Sequence, residues 1–136
     1  MKEIKFRLRI GDEIIGYERW YKGDGSNAHW EHLKKGETIW YPAFLYATDR
    51  NLFTNLLDKN GKEIYEGDII DISRDYYIGH VVVEFGSYKS DESGETIGNG
   101  WFVRYGDKDE PLHKDLEIKL IGNIYENNEL LKENKV

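Results

Sequence analysis

Apolar side chains occupy every second position near the start of the chain, with Ile4, Phe6, Leu8 and Ile10 separated by Lys5, Arg7 and Arg9. A period of two places alternate residues on opposite faces of a sheet, so this stretch predicts a half-buried strand whose polar face is wholly basic. Gly11-Asp12-Glu13 interrupts the run, and residues 14–21 predict a second strand, ended by the turn-rich stretch of residues 22–27. Segments at residues 29–33 and 38–41 flank Lys34-Lys35-Gly36 and predict two more strands, so that residues 1–41 read as a β-meander. Trp20, Trp30 and Trp40 recur at intervals of ten, but they share no other residues, and hairpin spacing explains them as well as a repeat does.

Residues 42–57 carry two readings. Pro42 suits the first position of a helix, and Phe44, Leu45, Leu52, Phe53, Leu56 and Leu57 partly fit helical spacing; the alternative is an extended crossing segment with a strand near residues 52–54. Beyond it, Asn60-Gly61 between apolar segments is the strongest turn signal in the chain. Strands are predicted around Ile69, Ile70 and Ile72, over residues 78–85, over 101–105 and over 116–125. Residues 86–100, rich in Ser, Gly, Asp and Glu, predict a long mobile loop between hairpin strands, and residues 106–112 a turn. Asn127 or Asn128 can cap a short C-terminal helix. The fold expected is mainly β: an N-terminal meander in a β-rich subdomain over residues 1–57, then a small SH3-like antiparallel barrel with a C-terminal helix over 58–136, the two separate or joined in one compact unit.

Composition narrows the class. The 136 residues include four Trp, ten Tyr and five Phe, enough large apolar surface to oppose chain entropy despite 33% charged side chains. No apolar run approaches the roughly 18–20 residues that a membrane helix needs, and the opening residues lack the apolar core of a signal peptide. A soluble, cytoplasmic protein without membrane contact is expected; the absence of Cys excludes disulfides, thiolate zinc sites and cysteine nucleophiles. The net charge of −7 is unevenly placed: residues 1–52 hold nine basic and eight acidic side chains (+1), and residues 53–136 hold ten and eighteen (−8). A polyanionic C-terminal portion repels phosphate backbones, although a local basic patch could still bind them.

Three segments carry a family resemblance: Met1 to Arg7, the central run Asp58-Lys59-Asn60-Gly61-Lys62-Glu63-Ile64-Tyr65-Glu66-Gly67-Asp68-Ile69-Ile70, and the closing Ile121-Gly122-Asn123-Ile124-Tyr125-Glu126-Asn127. Together, in order and at this spacing, they resemble the YopX family of small phage and prophage proteins, with residues 11–50 and 86–100 showing no detailed match. The resemblance implies a mostly β protein of a bacterial host's cytoplasm, and it brings no catalytic residue and no established activity. Where relatives carry a Tyr-Thr-Gly-Leu type of segment, this chain has Phe53-Thr54-Asn55-Leu56. Asn in place of Gly suggests a left-handed backbone at residue 55, which favours the extended reading near Leu52. Asn128 stands where relatives often have Pro. The motif residues Asn60, Gly61, Gly67, Asp68, Gly122 and Asn123 read as architectural: a turn, a free backbone before a strand, and a bulge or bend in the last strand.

Candidate chemistry is sparse. His29 and His32 flank Glu31 at a spacing that could chelate on a helix, but on a strand they face opposite ways; His80 and His113 have no local partner. Carboxylates gather at Glu66, Asp68, Asp71 and Asp75 and again at Asp91, Glu92, Glu95, Asp107, Asp109 and Glu110, with no calcium-loop, phosphate-loop, nucleophile-elbow or zinc-helix pattern around them. No enzyme activity, metal or cofactor is expected. Aromatics exceed what a small sheet hides, and Trp20, Trp40, Tyr76, Tyr77 and Trp101, with the basic stripe Lys5, Arg7 and Arg9, form the expected interaction surface. The leading expectation is a non-enzymatic interaction module that binds a host or phage protein or itself. Nucleic-acid binding through stacking aromatics and the basic strand is the alternative, disfavoured by net charge. An acidic DNA mimic that inhibits a host protein is the third.

Overall fold

The computed structural model describes residues 2–23, 25, 27–74, 77–90 and 92–133. More than half of these lie in strands: β1 (Lys5–Ile10), β2 (Glu13–Tyr21), β3 (His29–Lys34), β4 (Asp49–Leu57), β5 (Glu63–Tyr65), β6 (Asp68–Arg74), β7 (Tyr77–Val82), β8 (Glu84–Lys89), β9 (Thr96–Tyr105), β10 (Lys108–Pro111) and β11 (Lys119–Asn123). The one helical element among them is a 3-10 helix, Asn128–Glu133. No described helix is long and apolar enough to cross a membrane. The chain divides into two compact units, Met1–Asn55 and Leu56–Val136.

In the first unit the strands order as β3-β2-β1-β4, all antiparallel. Residues 38–41 do not form the fourth strand expected there. Only Tyr41 touches the outer edge of β3, exchanging two backbone hydrogen bonds with His32 at 2.7 and 2.9 Å. Beyond Pro42 the chain crosses the sheet without helix, and Thr48 bonds back to Arg9 at 2.8 Å before β4 pairs with β1. The extended reading of residues 52–54 therefore holds, and Asn55 has φ 64°, the one described non-glycine residue with positive φ. Its side chain brackets the backbone of Glu3, accepting from Glu3 N at 2.7 Å and donating to Glu3 O at 2.9 Å.

The second unit begins with the last residues of β4, the Asn60-Gly61 turn and β5. It continues in two three-stranded antiparallel sheets, β11-β6-β7 and β10-β9-β8. Its core gathers Ile64, Ile70, Val81, Val83, Val103, Tyr105 and Ile118, with Trp101 and Leu120 packed against it. The closed SH3-like barrel expected from the sequence is not found: the ladders of the described residues form separate sheets. The run read as one strand over 78–85 is split at Val83, whose N–H donates to Asp68 O and whose C=O accepts from Gly67 N, so that two residues at the start of β6 oppose one.

Residues 86–100 also differ from the expected loop. They belong to the β8–β9 hairpin, with Ser87 opposite Asn99 and Tyr88 opposite Gly98. Its faces alternate exposed and half-buried rather than polar and buried, so the hydrophobic contrast that announces a strand is missing. A Cβ at Gly98 would run into the Tyr88 ring, which packs across this backbone. Residues 106–112, expected as a turn, contribute β10.

Candidate interaction surface

The C-terminal motif residues build the frame of the second unit. Asp58 is buried; its Oδ1 accepts from Asn60 N and Lys62 N at 2.8 and 2.9 Å, and its Oδ2 from Leu120 N at 3.2 Å, while Lys59 N donates to Ile118 O at 2.7 Å. One carboxylate thereby closes the turn and fastens it to the region of β11. Burial pushes this carboxyl up, but the backbone donors of Lys62, Leu120 and Asn60 outweigh it and hold the group below its ordinary value. Gly61 has φ 82°, a left-handed conformation that glycine adopts without steric penalty. Gly67 has φ 86° and the ring of Tyr125 lies against it. Asp68 is buried and accepts from Tyr65 N at 2.7 Å. The β11 register against β6 shifts between Leu120 and Gly122, where a Cβ would meet Asn127 Oδ1 at 2.6 Å. Asn123 Oδ1 accepts from Tyr125 N and Glu126 N at 3.0 and 2.9 Å and so turns the chain after β11.

The basic stripe is placed differently from its expected role. Lys5 and Arg7 are 8% and 6% exposed, and Arg9 is half-buried, its Nε donating to Asn51 Oδ1 at 3.2 Å and its Nη1 to Gly11 O at 2.6 Å. Trp40 and Phe53 lie 5.8 and 5.5 Å from the Lys5 ammonium, and Trp40 stacks on the Arg19 guanidinium at 4.2 Å. Strand periodicity distinguishes two faces; it does not say which of them meets water, and here both are covered. Trp40 is therefore a lid on the cationic face rather than a free ring. Arg19 donates twice to Glu31 Oε1, at 3.0 and 2.8 Å, and Glu31 Oε2 lies 3.1 Å from His29 Nε2.

The remaining rings are distributed as follows. Trp20 packs edge-on against Trp30 at 5.2 Å and Trp101 against Phe85 at 4.9 Å. Tyr76 lies outside the described residues, as do Asp75 and Asp91, and Tyr77 is described only as part of β7. Of the carboxylates, Asp109 pairs with Arg104 at 2.6 Å, Glu110 accepts from the Tyr105 hydroxyl at 2.8 Å, and Asp71, Glu92, Glu95 and Asp107 are exposed. Among the described residues no three His, Asp or Glu side chains gather as a metal site.

What the sequence reading missed is the crossing segment itself. Ile39, Tyr41, Phe44 and Tyr46 are 60%, 47%, 80% and 61% exposed within eight residues. Ile39 and Tyr41 lie in the segment read as a strand, and Phe44 and Tyr46 in the run that also fitted helical spacing, so their solvent exposure was not legible. Beside them a pocket of about 290 Å³ is lined by His32, Lys34, Glu37, Tyr41, Ala43, Phe44 and Leu45. Behind its wall, the buried His32 Nε2 lies 2.8 Å from Glu18 Oε2, and Glu18 Oε1 lies 3.3 Å from Nη1 of the exposed Arg50. Gly16, on the same face of β2, leaves room for the crossing, since a Cβ there would meet Leu45 Cδ2 at 2.9 Å.

Searches of curated proteins and of solved structures return no match. The family model described as YopX protein matches residues 21–132, which include the central turn, both sheets of the second unit and the closing Gly122-Asn123 motif. On that match the chain belongs to the YopX family.

Proposed function

We propose that this protein is a non-enzymatic accessory module of a phage or prophage, working in the bacterial cytoplasm, that binds a host or phage protein or a second copy of itself. The observation that carries this reading is the concentration of exposed large apolar side chains over residues 39–46. Isolated exposed apolar residues are ordinary, whereas a contiguous group of this kind marks contact surfaces. The segment is anchored at both ends, by Tyr41 on His32 and by Thr48 on Arg9, so it can present these rings without a large ordering cost on binding.

The test compares the wild-type chain with a Phe44→Asp, Tyr46→Asp double variant. Light scattering reads self-association, and affinity capture from host lysate reads a foreign partner. The wild type is expected to self-associate or to retain a protein, and the variant, equally folded by circular dichroism, to lose it at least tenfold. A monomeric wild type that captures nothing, or a variant indistinguishable from it, overturns the reading. Nucleic-acid binding ranks second, because two of the three cations it relied on are buried; a gel shift at low salt that weakens steeply with added salt would promote it.

A further inference from the structure

We propose that the pocket beside His32 is a recognition site for an extended peptide segment of the partner, taking one apolar side chain together with the peptide groups next to it. The inference rests on the interaction reading above and narrows it to a ligand chemistry. His32 is buried, and its Nδ1 finds no hydrogen-bond partner among the described residues. Its other nitrogen is committed: Nε2 faces the Glu18 carboxylate at 2.8 Å, and a carboxylate accepts, so Nε2 carries the hydrogen. In the neutral ring this leaves Nδ1 as a bare acceptor. An unsatisfied buried polar atom costs about 1–3 kcal/mol, and such atoms are rare enough in native proteins to call for a cause.

The rest of the lining indicates what would satisfy it. Ala43, Phe44 and Leu45 offer apolar walls, the exposed Lys34 offers a cation, and Glu37 offers an accepting carboxylate. A ligand that suits all of these brings donors for Nδ1 and for the Glu37 carboxylate, an acceptor for the Lys34 ammonium, and an apolar body. One residue with a branched or aromatic side chain and the peptide groups on either side of it has all three, and a pocket of about 290 Å³ holds little more. Phe44 meets the imidazole edge-on at 6.2 Å and is otherwise surrounded by solvent; because Nδ1 is closed to solvent, this ring must swing aside to admit the peptide N–H.

The probe is N-acetyl-leucinamide, with ethyl isovalerate as a control of similar shape that has no N–H. Imidazole nitrogen NMR of the full chain separates His32 from His29, His80 and His113. The amide is expected to shift His32 Nδ1 saturably while His80 and His113 stay still, and the ester to leave Nδ1 unmoved. A His32→Phe variant, which keeps a ring and removes the acceptor, is expected to bind the amide about tenfold more weakly. Because that variant also strips Glu18 of a partner, the wild-type titration stands as an independent measurement. No shift at His32 up to about 10 mM amide, or an equal shift with the ester, overturns the proposal. If the Phe44→Asp, Tyr46→Asp variant nonetheless loses its partner, the exposed segment still binds protein and only the peptide pocket fails.

Discussion

Asn55 joins two demands in one side chain. Its backbone is left-handed, which costs a residue with an ordinary Cβ roughly 1–2 kcal/mol, and its amide holds Glu3 through both N–H and C=O. Asn55→Ala removes the hydrogen bonds and keeps the strain, so it is expected to lower unfolding stability by about 2 kcal/mol. Asn55→Gly removes the hydrogen bonds but relieves the strain, and its loss should be about half as large. Urea titration of the two variants checks the order; Ala equal to or better than Gly would contradict it. This conformation was legible through the family resemblance, because Asn stands where relatives carry Gly and tolerates a left-handed backbone at low steric cost. The burial of Lys5 and Arg7 was not, since nothing local to residues 4–10 indicates that Trp40 folds over their face.

At the scale of elements, the segment between β3 and β4 does the work that a fourth meander strand was expected to do. Its Trp40 covers the cationic face of the sheet and its Leu45 lies over Gly16 on the other. Trp40→Ala is expected to cost about 2 kcal/mol, less than a fully buried Trp because the ring is only partly enclosed. It should also expose Lys5 and Arg19, which faster backbone exchange in β1 and β2 would report. An unchanged urea midpoint would mean that Trp40 does not hold the lid. The β8–β9 hairpin makes the complementary point. Its register rests on close packing of Tyr88 over Gly98 and on Ser87 Oγ donating to Asn99 Oδ1 at 2.6 Å, pairings between residues that look like loop when read singly.

For the molecule as a whole, the carboxylates set the response to acid. Glu31 is pushed up by burial but brought below its ordinary value by Arg19 and His29. Asp58 is held down by backbone donors, and Asp109 chiefly by the Arg104 guanidinium. A carboxyl with a depressed folded value contributes stability that is complete above its unfolded value and is lost as pH falls through the folded one. Stability should therefore decline below about pH 4, the range of unperturbed carboxyls. Asp58→Asn, which exchanges an acceptor oxygen for a donor, is expected to cost about 1–3 kcal/mol at neutral pH and to flatten the acid limb of a plot of urea midpoint against pH. An acid limb as steep as in the wild type would show that Asp58 is not among its causes. His29 acts in the opposite sense: the Asn27 carbonyl, and Glu31 after it, raise its value against the effect of burial, so its share is present at low pH and lost as pH rises.

The sequence by itself determined the features whose cause is local. These are the alternation of β1, the turn at Asn60-Gly61, the left-handed Asn55, and the β-rich class that follows from many short branched and aromatic runs. It also carried the family, through motif residues whose turns and bulges can be named one at a time. Only the tertiary structure decided which side of each strand is covered, where the ladders stop short of a barrel, and that Ile39, Tyr41, Phe44 and Tyr46 stay exposed while two cations are buried. Those outcomes depend on long-range packing partners such as Trp40 over Arg19, Tyr88 over Gly98 and Val83 against Asp68. Their energies arise between segments distant along the chain, and no periodicity within either segment records them.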